Sequence, residues 1–160
     1  MTAAVLTVSD SCSRGLREDL SGPAIAQLLE QRGFQVVRRE IVADERTSIE
    51  NKLVTFTSIA RLVVTTGGTG ITRRDVTPEA TVSVCDRLLE GVAERIREAG
   101  QQQTPFSILS RAVCGTRGES LVLNLPGSPR GAVDSLQSVI DVLPHALELL
   151  CGNTAHESLP

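Results

Sequence analysis

Between Thr65 and Pro78 the chain reads TTGGTGITRRDVTP, and this stretch packs the most chemistry into the fewest residues. Gly67, Gly68 and Gly70 admit positive φ and a close backbone approach to a ligand. Successive backbone N–H groups arranged in that way form a nest for an anion, and Thr69 adds a hydroxyl donor. Arg73 and Arg74 follow, with guanidinium groups suited to phosphate oxygens; one of the two is expected to face solvent. Asp75 stands five residues after Gly70. A carboxylate there repels a bound anion unless a cation lies between them, so Asp75 is a candidate Mg²⁺ ligand. Alternatively, Asp75 caps a helix starting near Thr77. The spacing is neither a P-loop nor GxGxxG, so neither mechanism carries over. A plain tight turn is the competing reading of the glycines.

Other loops carry further candidates. Asp44, with Glu45, closes a strand-like run in IVADERTS; it suits a second metal ligand or a group orienting a nucleophile, or else a helix-entry acid ahead of Thr47. Ser9 and Asp10, in TVSDS, either hydrogen-bond a ligand or form an Asx turn. Asn124, Pro126, Gly127 and Ser128, in NLPGSPRG, precede a helix N-terminus and offer a second anion- or heterocycle-binding loop, or simple strand-to-helix turn chemistry. Ser110-Arg111, in ILSRAV, is ambiguous between a ligand contact and the structural role more usual for Ser-Arg inside a strand. His145 and His156 have no catalytic partner in the sequence, and structural or solvated roles are expected. Cys12, Cys85, Cys114 and Cys151 contain no CxxC pair, so a zinc site is not expected and the thiols should be free and mostly buried; Cys12 lies in a polar loop.

These loops need a frame. AAVLTVS, FQVVRREIV and RLVVTT read as strands, the last without alternation, as for a strand buried on both faces. AIAQLLEQRG is helical and stops at Gly33. SIENKLVTFTS is helical, with Thr47 as its cap. Thr77-Pro78 resembles an N-cap followed by proline at the first helical position, and helical spacing continues to Gly100 with a break near Gly91. FSILSRAVCG and ESLVLNLP are strand candidates joined by GTRG. Ser128-Pro129 repeats the cap-and-proline signal, and Pro144 should kink or restart the last helix. Strands alternating with helices predict one doubly wound α/β domain over residues 1–152, its mostly parallel sheet covered by helices on both faces. Residues 153–160 are expected to form a loose tail. In such a fold, loops at the carboxyl ends of the strands converge on one cleft.

Composition narrows the function. The chain has 160 residues and 41% hydrophobic content, enough for one globular domain. A net charge of −3 and the absence of Trp and Tyr argue against a nucleic-acid partner. No apolar run approaches a membrane span, and MTAAVLTVSD lacks the features of a signal peptide. A cytoplasmic protein is expected.

Taken together, VLTVSDSCSRG, EDLSGP, LVVTTGGTGITRRDVTPEAT and ILSRAVCGTRGESLVLNLPGSP resemble the molybdenum-cofactor biosynthesis family, which includes bacterial molybdopterin adenylyltransferases and the G domains of plant Cnx proteins and gephyrin. The resemblance runs from about Ala3 to Gly152. It implies a trimeric doubly wound domain. It also implies Mg²⁺-ATP-dependent adenylylation of molybdopterin, with release of pyrophosphate. The product then passes to molybdate insertion, so an insertion enzyme is an expected partner. The family's two important acids match Asp44 and Asp75. Its glycine loop matches Gly67, Gly68, Thr69 and Gly70; its LSR serine, Ser110; and its N-hydrophobic-PG loop, Asn124 to Gly127. Ala43 and Arg73 depart from the pattern, since proline is frequent at both places. A non-catalytic molybdopterin carrier or scaffold is the alternative within the same family.

Overall fold

Runs of valine, leucine and threonine build the centre of the sheet. The computed structural model describes residues 1–152, so the expected tail at 153–160 lies outside the described residues. The strands are β1 (Thr2–Val8), β2 (Gln35–Val42), β3 (Leu62–Thr66), β4 (Arg87–Leu88), β5 (Cys114–Arg117) and β6 (Ser120–Leu125). The helices are α1 (Asp10–Ser13), α2 (Ser21–Gln31), α3 (Arg46–Thr57), α4 (Thr77–Val84), α5 (Glu90–Gln101), α6 (Pro129–Gln137) and α7 (Leu143–Leu150), with a 3-10 helix at Pro105–Leu109.

The sheet order is β2-β1-β3-β6-β5-β4. β2, β1, β3 and β6 run parallel, and β5 and β4 extend the sheet antiparallel. Chain order reverses between β1 and β3, so the loops leaving these two strands part at that point and open a crevice. Successive side chains point to opposite faces. Val64 and Leu123 therefore join Ile25, Leu29, Leu136 and Leu147 on one face. Val63 and Val122 join Leu53, Phe56 and Ala80 on the other. Every residue of β3 is buried, as its unbroken apolar run predicted.

Local boundaries differ from the sequence reading in several places. The polar segment after β1 opens with one helical turn, because the Ser9 hydroxyl accepts the Cys12 N–H at 3.2 Å. α3 starts earlier than Thr47, with Glu45 at the cap position. Thr77 lies inside α4 and Val76 occupies the cap position, because the Thr77 side chain is turned inward toward the glycine loop. The long helical stretch breaks at Cys85–Leu89, where β4 pairs with β5, rather than at Gly91. Phe106–Leu109 forms a 3-10 helix instead of a strand; proline at its start and the Thr104 side chain, which accepts the Phe106 N–H at 3.3 Å, favour a turn. Pro144 does restart the helix, at the second position of α7. All four thiols are free, but only Cys114 is fully buried. Burial pushes its thiol up to about 12 and that of Cys85 up to about 11.

Candidate functional site

The glycine loop after β3 is held from behind. The Gly67 carbonyl accepts the Thr77 hydroxyl at 2.9 Å, and the Gly68 carbonyl accepts the Thr77 N–H at 3.1 Å. The Thr69 carbonyl accepts the Arg111 N–H at 2.9 Å, and the Gly70 carbonyl accepts Arg111 Nε at 2.7 Å. Four consecutive carbonyls are thus engaged by α4 and by the segment ahead of β5. Among the described residues, neither the Gly68 nor the Thr69 N–H donates to a protein acceptor. Gly67 and Gly68 have φ of +99° and +63°, values that favour glycine. Gly70 does not share that conformation. Its small size instead admits the Asp75 carboxylate, whose Oδ2 lies 2.9 Å from where a Cβ would stand. Backing the carbonyls while leaving neighbouring N–H groups unused is the arrangement of an anion nest.

Two acids join the loops after β1 and β2. Val8 and Val42 are register partners in parallel strands, so Asp10 and Asp44 emerge side by side. The Asp10 N–H donates to Asp44 Oδ2 at 2.7 Å, and the Asp44 N–H donates to Asp10 Oδ1 at 3.1 Å. Arg74 Nε reaches Asp10 Oδ2 at 3.1 Å. Arg74 hydrogen-bonding holds the Asp10 carboxyl below its ordinary value. Burial raises that of Asp44, with the neighbouring charges of Asp10 and Asp75 adding to the effect. Burial also works to raise Asp75. The Thr72 hydroxyl and N–H, which donate to its Oδ2 at 2.6 and 2.8 Å, together with the Gly70 N–H, overcome burial and leave its pKa lowered. Asp75 therefore ties its own loop rather than capping α4.

The loops after β1, β2, β3 and β6 converge on a two-lobed cleft at the carboxyl ends of these strands. The polar lobe, about 360 Å³, is lined by Ser9, Asp19, Ser21, Asp44, Gly67, Gly68, Gly127 and Ser128. The larger lobe, about 590 Å³, is lined by Gly68, Thr69, Gly70, Asp75, Ser110, Pro126, Gly127 and Ser128, and by apolar Ile71, Ile96, Phe106 and Leu109. Gly68, Gly127 and Ser128 belong to both lobes. Asp10 and Arg74 line neither; they brace Asp44 from outside. Asn124 lies inside the sheet rather than in the cleft. It is fully buried, its amide nitrogen donates to Thr65 Oγ1 at 2.9 Å and Thr81 Oγ1 at 2.8 Å, and its oxygen accepts the Val113 N–H at 3.2 Å. His145 is exposed on α7 and lines neither lobe. Position 156 lies outside the described residues.

Three residues that hold the site were not given that role from the sequence. Thr77 read as a cap, and Arg111 as part of a strand. Asp19, in EDLSGP, accepts the Thr7 hydroxyl at 2.7 Å and the Gly22 N–H at 2.9 Å, and so fixes the wall of the polar lobe. The signal for Asp19 was present, as an acid three residues before a glycine at a helix start. Asp44 and Asp75 supply oxygen donors only, and one lines each lobe. Mg²⁺ is commonly held by one or two carboxylates together with substrate phosphates and water, and this donor set fits that pattern. Among the described residues, no helix is long and apolar enough to cross a membrane.

A family profile described as "Probable molybdopterin binding domain" matches residues 4–145. Molybdopterin adenylyltransferase of Helicobacter pylori is 43% identical over 153 residues, spanning 93% of this chain and 87% of that protein. The enzyme of the same name from Escherichia coli K12 is 35% identical over 165 residues, spanning 92% and 84%. Among solved structures, the molybdopterin biosynthesis enzyme MoaB of Thermus thermophilus superposes with a TM-score of 0.89 at 46% identity, covering 94% of this chain and 96% of that one.

Proposed function

Because the chain belongs to the molybdenum-cofactor biosynthesis family, we propose that it is a molybdopterin adenylyltransferase that uses ATP. The observation that carries this reading is the shared junction of the two lobes. Gly68, Gly127 and Ser128 line both, so a ligand in either lobe ends at the anion nest. That is the layout for bringing two phosphate-bearing substrates together.

In the proposed reaction a molybdopterin phosphate oxygen attacks the α-phosphorus of ATP, the bond to the β-phosphate oxygen breaks, and pyrophosphate leaves. A phosphate monoester has its second pKa near ~6 and is largely ionised at neutral pH, so the nucleophile needs no strong base. This suits a cleft that no histidine among the described residues lines. Catalysis is then positioning and charge neutralisation. The Gly68 and Thr69 N–H groups, unused by any acceptor among the described residues, supply part of it, and the N-terminus of α6, beginning beside Ser128, supplies more. Asp44 and Asp75 would hold Mg²⁺ together with the substrate phosphates, and the ion would contribute further neutralisation of charge. A homotrimer, a cytoplasmic location and hand-over of the product to a molybdate-insertion enzyme belong to the same reading.

The test is pyrophosphate release on mixing the protein with molybdopterin, ATP and Mg²⁺. Release that requires both substrates supports the transferase. Molybdopterin binding without release would instead make the chain a carrier or scaffold.

A further inference from the structure

Arg111 makes contacts that an exposed strand residue does not need. Its Nε donates to the Gly70 carbonyl at 2.7 Å, and its Nη2 donates to the Asp75 carbonyl at 2.6 Å. Its Nη1 bonds Glu79, in the first turn of α4, and its own N–H takes the Thr69 carbonyl at 2.9 Å. One residue thus spans the loop from Thr69 to Asp75 and fastens both its ends to α4. The side chain is 37% exposed, and Arg111 lines neither lobe of the cleft. It therefore acts through other groups.

We propose that Arg111 is a positioning residue that shapes the anion nest and fixes the placement of Asp75, with Glu79 anchoring its guanidinium. The inference rests on the transferase reading only for its consequence in turnover. The nest itself is tested by anion binding alone. A guanidinium presents several N–H donors in one plane, which lets a single side chain serve two carbonyls and a carboxylate at once. Lysine carries the same charge as a single point and cannot reproduce that fork. Without the fork, the Gly70 carbonyl is free to rotate together with the Ile71 N–H of the same peptide unit, and the backbone that carries the adjacent Gly68 and Thr69 N–H groups loses its hold on the Asp75 side.

The experiment measures binding of inorganic pyrophosphate by calorimetry to the wild-type chain, Arg111→Lys and Arg111→Ala, with thermal unfolding of each recorded in parallel. Arg111→Lys is expected to bind pyrophosphate about tenfold more weakly, the size of effect expected when charge-assisted hydrogen bonds are lost. Added guanidinium ion, kept well below denaturing concentration, is expected to restore binding in Arg111→Ala. A residue with a merely structural role would lower the unfolding temperature without this rescue. Wild-type affinity in a folded Arg111→Lys would overturn the proposal. If both variants fail to fold, Glu79→Gln, which weakens the anchor alone, decides: weaker pyrophosphate binding supports the assignment and unchanged binding overturns it. Failure of the transferase reading would appear separately, as a wild-type chain that binds pyrophosphate normally and transfers nothing.

Discussion

Asp10 and Asp44 clasp one another, each backbone N–H donating to the other's carboxylate, at 2.7 and 3.1 Å. The clasp joins the ends of two parallel strands and leaves Asp44, not Asp10, on the wall of the cleft. Arg74 closes the arrangement from outside by pairing with Asp10. A charged residue on the cleft wall is thus placed by two others that do not line it.

Asp44→Asn keeps an acceptor for the Asp10 N–H while removing the charge. It is expected to unfold within a few degrees of wild type and to lose adenylyl transfer by about 100-fold or more, the scale seen when a group stabilising transition-state charge is removed. Asp75→Ala should lose transfer to a similar extent. It also releases the Thr72 hydroxyl and N–H, at a cost of about 1 kcal/mol in stability. Parallel thermal melts and single-turnover assays check both; full activity in either variant removes that residue from the proposed role.

Protonation of Asp44 should set the acid limb of the rate. Its folded pKa is raised, chiefly by burial, so its contribution to stability is present below its unfolded pKa and fades as pH rises through the folded one. Asp10 and Asp75 are lowered; their contributions are present above their unfolded values and fade as pH falls through the folded ones. On acidification Asp44 is therefore the first of the three to take a proton. The rate is expected to fall at a higher pH than an ordinary aspartate would give. A rate profile followed from neutral into the acid range checks this, and a limb at the ordinary carboxylate position would contradict it.

Gly68→Val should abolish ligand binding. At φ +63° a β-branched residue is strained, and a Cβ there would press on the Thr77 hydroxyl and come within 3.2 Å of Asp44 Oδ1. Calorimetric titration with ATP or pyrophosphate reads the loss. Unchanged affinity would reduce this glycine to a turn residue.

Asn124→Ala separates a structural role from a binding one. It leaves the Val113 N–H without its side-chain acceptor and takes the bonding amide away from Thr65 and Thr81. A loss of about 2–4 kcal/mol in stability is expected on chemical denaturation. The folded fraction should bind ATP with wild-type affinity. Weakened binding in a stably folded variant would return Asn124 to the cleft.

Much of this was legible in the sequence, because its signals are local. The unbroken run of β3 announces a strand buried on both faces, and the glycines and prolines mark the loops that follow β3 and β6. Alternating elements then place those loops at one end of the sheet. What stayed hidden depends on partners far along the chain. Thr77 looks like a cap until its hydroxyl is seen on Gly67, and Asn124 looks like a loop residue until register sets it against Thr65. The role of Arg111 appears only once the segment ahead of β5 is folded against the glycine loop. Phe106–Leu109 has the composition of a strand, but Thr104 and Pro105 turn it into a 3-10 helix.

The most direct measurement of the proposed activity follows the labelled α-phosphate of ATP in a single turnover with molybdopterin, with and without Mg²⁺, and resolves the products by chromatography. The expected result is metal-dependent movement of the label onto molybdopterin with matching release of pyrophosphate. Label that stays in ATP while molybdopterin remains bound would contradict the transferase assignment and leave a binding protein.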